Sequence, residues 1–226
     1  MIRESLDESL AATRWGTLLT PEQRARVVAE SGEITLAAEG YVCRRGEPVD
    51  VWLGVLDGLV KMVITTPDGK TSTFTGIPAG GWFGEGSLLK SEPRRYDVVA
   101  LRESRIARVP RRTFEWLLNT SIPFNRFLLE QVNERLGQFI GMLEAQRLHG
   151  PDARVALCVA SLFNPILYPG IENKLEVSQE EIGYLAGISR QRVNQALHTL
   201  EQARLLRVEY GAIVIEDLEG LRRYRG

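Results

Sequence analysis

Within residues 190–195, every side chain but Val193 is an amide or a guanidinium. Arg190, Gln191, Arg192, Asn194 and Gln195 are the kinds of side chain that read DNA base edges. Arg forks onto guanine, and Gln or Asn onto adenine. No comparable grouping suggests an enzyme. The two histidines, His149 and His198, have no nucleophile partner and no metal-ligand spacing. Cys43 and Cys158 lie far apart among apolar residues, which fits packing rather than a redox, iron–sulfur or haem site.

A base-reading cluster needs a helix that presents it and a second helix that anchors it. The sequence supplies both between 178 and 206. Ser178 is an N-cap with Glu181 three residues on, a capping box for a first helix over about 179–185. Gly187 supplies the left-handed turn. Ser189 caps a second helix that starts at Arg190. Val193, Ala196, Leu197 and Leu200 recur at helical spacing and form its buried stripe, leaving the polar cluster outward near the N-terminus. That is the layout of a recognition helix in a major groove. Ser178, Gln179 and Ser189, at helix N-termini, are phosphate candidates. Residues 205–215 read as two strands around a turn, a wing. A solvated surface helix would share the pattern, but the dense donors and the absence of acid before Glu201 favour DNA.

The run IGYLAGISRQRVNQALHTLEQARLL resembles the winged helix-turn-helix of the CRP/FNR family. Upstream, EGYVCRRGEPVDVWLGVLDGLVKM resembles the first half of a cyclic-nucleotide-binding β-roll, with Gly40, Gly46, Val55 and Gly58 in place. The resemblance covers nearly the whole chain. It implies an α+β fold: an N-terminal double-stranded β-helix (β-roll) over 1–120, a dimerisation helix over 121–149 and a C-terminal winged helix-turn-helix over 150–226. It also implies a ligand site. Backbone N–H groups at Gly84, Glu85, Gly86 and Ser87 would face a phosphate, Glu85 would accept from a ribose hydroxyl, and Arg94 would pair with the phosphate. The family's cyclic-AMP binders follow that Arg with Ser or Thr; here Arg95 and Tyr96 follow. A one-residue slip would give Arg95 the phosphate role. The departure favours another nucleotide-like effector, or a roll that keeps Glu85 and an Arg as an internal ion pair, over cyclic AMP. Arg190, Gln191 and Gln195 match the family's base-reading places, where many members carry Arg, Glu and Arg. The half-site should therefore differ from TGTGA. Implied partners are double-stranded DNA, a second copy and RNA polymerase. The other class of reading is a ligand-sensing or protein-interaction module without DNA binding.

The remaining chain must position these sites. Residues 1–32 read as helical, with Thr20-Pro21 opening 23–30. Strand-like runs at 34–36, 41–43, 51–56 and 59–65 alternate with turns at Arg45-Gly46-Glu47-Pro48, Asp57-Gly58, Pro67-Asp68-Gly69 and Pro78-Ala79-Gly80-Gly81. Residues 111–148 are helical, with Pro123 in the first turn of a long helix over 122–148. At 1.5 Å per residue this helix is roughly 40 Å long. Phe124, Leu128, Val132, Leu136, Phe139 and Leu143 form its near-heptad stripe, the expected dimer seam. Such a dimer predicts a palindromic site with half-sites about 34 Å apart. His149-Gly150-Pro151-Asp152 marks the boundary and a candidate hinge. The loop 164–170 carries exposed-looking apolar residues; the region can touch RNA polymerase in the family, and a plain linking loop is the first reading for any one residue there. Composition is that of a soluble protein, 44% hydrophobic and 25% charged with net charge −1. No run spans a membrane and no signal peptide is evident, so cytoplasm is expected. Charge is local: 189–208 holds four arginines against one glutamate.

Overall fold

The computed structural model describes residues 5–66, 68 and 71–226. The turn expected at Pro67-Asp68-Gly69 lies largely outside the described residues. The chain opens with α1 (Leu6–Ala12), a 3-10 turn at Gly16–Leu18 and α2 (Pro21–Glu30). Capping boxes start both α-helices, Ser5 with Glu8 and Thr20 with Gln23. Helix across 1–32 is corrected on two counts. The Thr13 hydroxyl donates to the Leu10 carbonyl and the chain leaves α1 there. Gly32 already begins a strand.

Eight strands follow: β1 (Gly32–Leu36), β2 (Tyr41–Cys43), β3 (Val51–Asp57), β4 (Leu59–Thr65), β5 (Thr71–Pro78), β6 (Trp82–Phe83), β7 (Asp97–Ala100) and β8 (Ser104–Pro110). A short helix, α3 (Glu85–Lys90), separates β6 from β7. The strands form two four-stranded antiparallel sheets, ordered β1-β8-β3-β6 and β2-β7-β4-β5. Leu53, Val55, Val60, Met62, Ile77, Phe83 and Ile106 fill the space between them. The β3–β4 hairpin needs Gly58 twice over. Its φ is +94°, and a Cβ would fall 2.3 Å from the Ser104 hydroxyl.

A second core lies outside the roll. Trp15, Trp52 and Trp82 pack with ring centroids 4.4–5.1 Å apart, Trp82 meeting Trp15 edge-on at 88°. Phe114, from α4 (Arg111–Thr120), and Phe124 and Phe127, from α5 (Ile122–Leu148), close the cluster. It pins the N-terminal helices, β3, β6 and α5 to one another. α5 runs 27 residues behind the Ser121 cap, with Pro123 in its first turn. Two expected seam residues are corrected here. Phe124 and Leu128 are buried in this aromatic core of their own chain, so neither is free to meet a second copy. Val132, Leu136 and Leu143 are exposed, and Phe139 is half-buried.

Only His149 and Gly150 separate α5 from α6 (Pro151–Leu162). β9 (Lys174–Glu176), α7 (Gln179–Ala186), α8 (Arg190–Gln202), β10 (Leu206–Glu209), β11 (Ala212–Ile215) and α9 (Leu218–Arg223) complete the chain. The wing has three strands, β10-β11-β9, one more than expected. The loop 164–170 is also corrected. Leu167 and Tyr168 are buried in the roll's own core, and the Tyr168 hydroxyl donates to the Gly76 carbonyl at 3.2 Å. A Cβ at Gly81 would meet the Tyr168 ring at 2.8 Å, so the glycine lets this plug seat.

Trp52 is fully buried at the centre of the aromatic cluster. Trp52→Ala should cost about 3–5 kcal/mol of folding stability. Urea denaturation of the two proteins, read as a lowered midpoint at unchanged slope, checks this.

Candidate nucleic-acid interface and effector cage

The helix-turn-helix is built by local capping. Ser178 accepts from the Glu181 N–H, while Glu181 Oε2 accepts from the Ser178 N–H at 2.6 Å. Gly187 ends α7 at φ +65°, and the Ser189 hydroxyl accepts from the Arg192 N–H at 3.3 Å. At Gly183 a Cβ would stand 3.0 Å from the Ile188 carbonyl, so a glycine lets the turn pack tightly. Val193, Ala196, Leu197 and Leu200 are buried, and Ser189, Arg190, Gln191, Asn194 and Gln195 are exposed. Ser178 and Gln179 are half-buried, with the Gln179 amide 3.1 Å from Asn194 Oδ1. Arg192 departs from the expected outward face. It is half-buried and turned toward α6, where it pairs with Asp152. Sequence reasoning missed Tyr210, which stands fully exposed at the wing tip beside Gly211 at φ +69°.

The second candidate site lies where α3, β7 and α5 meet the roll. Gly84 caps α3 at φ +91°, and a Cβ there would fall 2.2 Å from Arg94 Nη1. Glu85 is 5% exposed and Arg94 4% exposed. Arg94 Nη2 donates to the Val51 carbonyl at 2.7 Å, while Nη1 and Glu85 Oε2 have no partner. Ser87 is buried, and Gly86 is exposed. Arg95 points the other way and pairs with Glu92 at 2.7 Å on the surface. Hydrogen bonds from Arg95 and Lys90 hold the Glu92 carboxyl down to about 2. Of the two adjacent arginines, Arg94 is the inward guanidinium.

From α5, Arg135 Nη2 and Gln131 Nε2 both donate to the Trp82 carbonyl, and Gln138 Nε2 donates to Thr75 Oγ1. Arg135 Nε and Nη1 and Gln138 Oε1 have no partner. Burial, followed by the nearby Glu85 carboxylate, pushes the Tyr96 phenol up to about 12. Sequence reasoning missed Gln131, Arg135 and Gln138. Their four- and three-residue spacing, a polar stripe along an amphipathic helix, was the available signal. Burial also lifts the Cys43 and Cys158 thiols to about 11 and about 12, so both stay protonated packing groups. Among the described residues no cluster of His, Cys, Asp or Glu could hold a metal ion.

The roll and the helix-turn-helix are tied together. Arg102, in the turn between β7 and β8, donates to Glu181 Oε1 at 3.0 Å and to the Glu176 carbonyl at 2.7 Å. The Lys61 ammonium lies 4.5 Å from the centre of the Tyr184 ring. The Glu181 carboxylate therefore caps α7 and anchors it to the roll.

The family model for the cyclic nucleotide-binding domain matches residues 33–121, and that for the Crp-like helix-turn-helix domain matches residues 126–224. The chain belongs to the CRP/FNR family. The CRP-like cAMP-activated global transcriptional regulator of Mycobacterium tuberculosis is 26% identical over 221 residues, covering 96% of this chain and 99% of that protein. Transcriptional regulator SdrP of Thermus thermophilus is 26% identical over 177 residues, 77% of this chain and 84% of its own. The solved structure of FixK2 from Bradyrhizobium japonicum superposes with a TM-score of 0.68 at 19% identity, covering 84% of this chain and 95% of that one. That likeness speaks for the fold. As a CRP/FNR regulator the chain joins a DNA-binding helix-turn-helix to a cyclic-nucleotide-binding-like roll. No helix among the described residues is long and apolar enough to cross a membrane.

A buried phenol links the cage to stability. The folded-state value for Tyr96 lies above the ordinary 10.0, so above pH 10 the unfolded chain releases its proton first. The stabilisation is complete below pH 10 and is lost as pH rises toward about 12. Tyr96→Phe should flatten that part of the stability–pH curve, measured by urea titration at successive pH values.

Proposed function

We propose that two copies of this CRP/FNR regulator pair along α5 and set their α8 helices into successive major grooves of a palindromic DNA site. The observation that carries the reading is the row of large apolar side chains α5 leaves uncovered. Ile122, Leu129, Val132, Leu136 and Leu143 are exposed and, with half-buried Phe139, follow steps of seven, three and four residues, a heptad seam. Leu129 is 71% exposed and Leu136 57% exposed, a degree a lone soluble chain rarely carries along one helix. This seam replaces Phe124 with Ile122 and Leu128 with Leu129, because the aromatic core has taken the former pair. Arg190, Gln191, Asn194 and Gln195 then read bases, and Ser178, Gln179 and Ser189 meet phosphates. Contact with RNA polymerase is assigned to Pro165, Pro169 and Gly170, the exposed rim of the loop whose Leu167 and Tyr168 are buried.

The cage is assigned to an anionic, nucleotide-like effector. Glu85 Oε2, Arg94 Nη1, Arg135 Nε and Nη1, and Gln138 Oε1 are buried and unpartnered, a mixed donor and acceptor lining that suits a phosphate with neighbouring hydroxyls. Cyclic AMP itself is disfavoured. The Ser or Thr hydroxyl expected after Arg94 is replaced by outward-facing Arg95, and Tyr96 stands among the cage charges. The Mycobacterium tuberculosis relative is cAMP-activated by name; this chain departs from that ligand at those two residues.

Selection of bound fragments from a random DNA library should return an inverted repeat with half-site centres about one helical turn apart. Leu136→Glu should run as a monomer on size exclusion and bind the selected site roughly a hundredfold more weakly. Failure to retain any fragment at low salt would favour the non-DNA interaction module instead. For the cage, calorimetric titration with cyclic AMP should show no micromolar binding. Whichever nucleotide in a panel does bind should lose about 1.5–3 kcal/mol in Arg94→Gln. Micromolar cyclic-AMP binding would overturn the effector assignment.

A further inference from the structure

Arg192 lies in the middle of the reading cluster yet does not join it. Its Nη2 donates to Asp152 Oδ1 at 2.5 Å, and its Nη1 donates to Gln195 Oε1 at 3.2 Å. Asp152 sits in the first turn of α6, where the helix dipole favours its negative charge. One guanidinium thus bridges a carboxylate on a neighbouring helix to an amide on the DNA face.

The bridge fixes which way that amide points. The two ends of a glutamine amide are normally interchangeable, one donating and one accepting. Arg has only donors, so the atom turned to Arg192 must be the carbonyl oxygen. Gln195 then presents its NH2 group outward. The contact between Gln179 and Asn194 joins two amides and imposes no such choice.

We infer that Asp152, acting through Arg192, is a positioning residue that engages the Gln195 carbonyl oxygen, turns its NH2 group toward the DNA and so biases base preference at one position of the half-site. The inference rests on the DNA-reading role proposed for α8. An outward NH2 suits guanine, with N7 and O6 acceptors, or thymine, with O4. It disfavours adenine, whose N6 amine needs the glutamine oxygen for a bidentate pair, and cytosine, whose N4 amine also donates. The usual expectation that Gln reads adenine is therefore reversed at Gln195. A plain salt bridge between α6 and α8 would stabilise the domain without biasing any base.

The test uses the full-length protein and the fragments it selects. Gln195→Ala first marks the base pair at which discrimination is lost. Affinities are then measured for all four bases at that pair and at the pair read by Arg190. The unaltered protein should favour guanine or thymine over adenine by about fivefold or more. Asp152→Asn should erase that preference at the one pair, leave the Arg190 pair unchanged, and admit adenine. Arg192→Met removes both donors while keeping the length of the side chain, so it should do the same. Thermal unfolding confirms that each variant is folded, and either variant alone suffices if the other is not. An adenine preference in the unaltered protein overturns the inference. So does retention of its preference in both variants, or a uniform loss of affinity at every position. If the unaltered protein selects no site, the DNA-reading role fails first, and that result is distinct from a selected site with the wrong preference.

Discussion

A helix of 27 residues has three sides, and α5 is required to satisfy a different environment on each. One side carries Phe124, Phe127 and Leu128 into the tryptophan cluster. A second sends Gln131, Arg135 and Gln138 to the Trp82 carbonyl and the Thr75 hydroxyl of the roll. The third leaves Leu129, Leu136, Ile140 and Leu143 in solvent. Hydrophobic patterning alone cannot produce this. A helix with one apolar stripe sits on one core and faces water elsewhere. Here the helix axis is fixed by the aromatic cluster at its N-terminal end, and the other two sides follow from that rotation.

The same rotation decides how the DNA-binding region is held. Two residues, His149 and Gly150, join α5 to α6 at the candidate hinge. Tyr168 then fixes the loop after α6 in the roll's core, and Arg102 clasps Glu181 at the start of α7. The second contact has more leverage than an ordinary half-exposed ion pair. Glu181 also closes the capping box on Ser178, so displacement of the roll's β7–β8 turn acts on the helix end that the proposed function sets against phosphate.

How legible this was depended on the range of the determining interactions. The helix-turn-helix is specified by Ser178, Glu181, Gly187 and Ser189, each acting within one turn of chain, and it stands where the pattern puts it. The roll strands carry β-branched runs and Asp57-Gly58, again local signals. The seam register was not legible. Phe124 and Leu128 belong to the same near-heptad as Leu136, and only the tertiary position of Trp52 and Trp82 decides that they turn inward. Leu167 and Tyr168 looked exposed because a loop has no periodicity to reveal a face. β9 is three residues long and gains its identity from pairing with β11. Arg94 and Arg95 are the same residue type side by side. Glu92, three residues before Arg95, is local but lies equally near Arg94 in the chain; the Val51 carbonyl that draws Arg94 inward is 43 residues away and is not visible from the local sequence.

The cage explains why these long-range choices matter. A buried polar atom without a partner costs about 1–3 kcal/mol, against a typical whole-protein stability of roughly 5–15 kcal/mol. Glu85, Arg94 and Arg135 all act electrostatically on Tyr96 and each carries an unpartnered atom, and Gln138, three residues beyond Arg135 on α5, carries another. Concentrating such a deficit beside the helix that carries the proposed seam gives a ligand something specific to relieve. On the proposed reading, an anion that satisfied Arg135 and Gln138 would change the balance of forces on the cage side of α5, while its opposite side determines how two copies meet. Coupling of this kind is reciprocal, so the geometry of the pair would alter affinity for the effector by the same factor. No separate chain of residues is then needed to carry the signal to α8. One rigid helix, with the effector on one side and the partner on another, supplies the shared element.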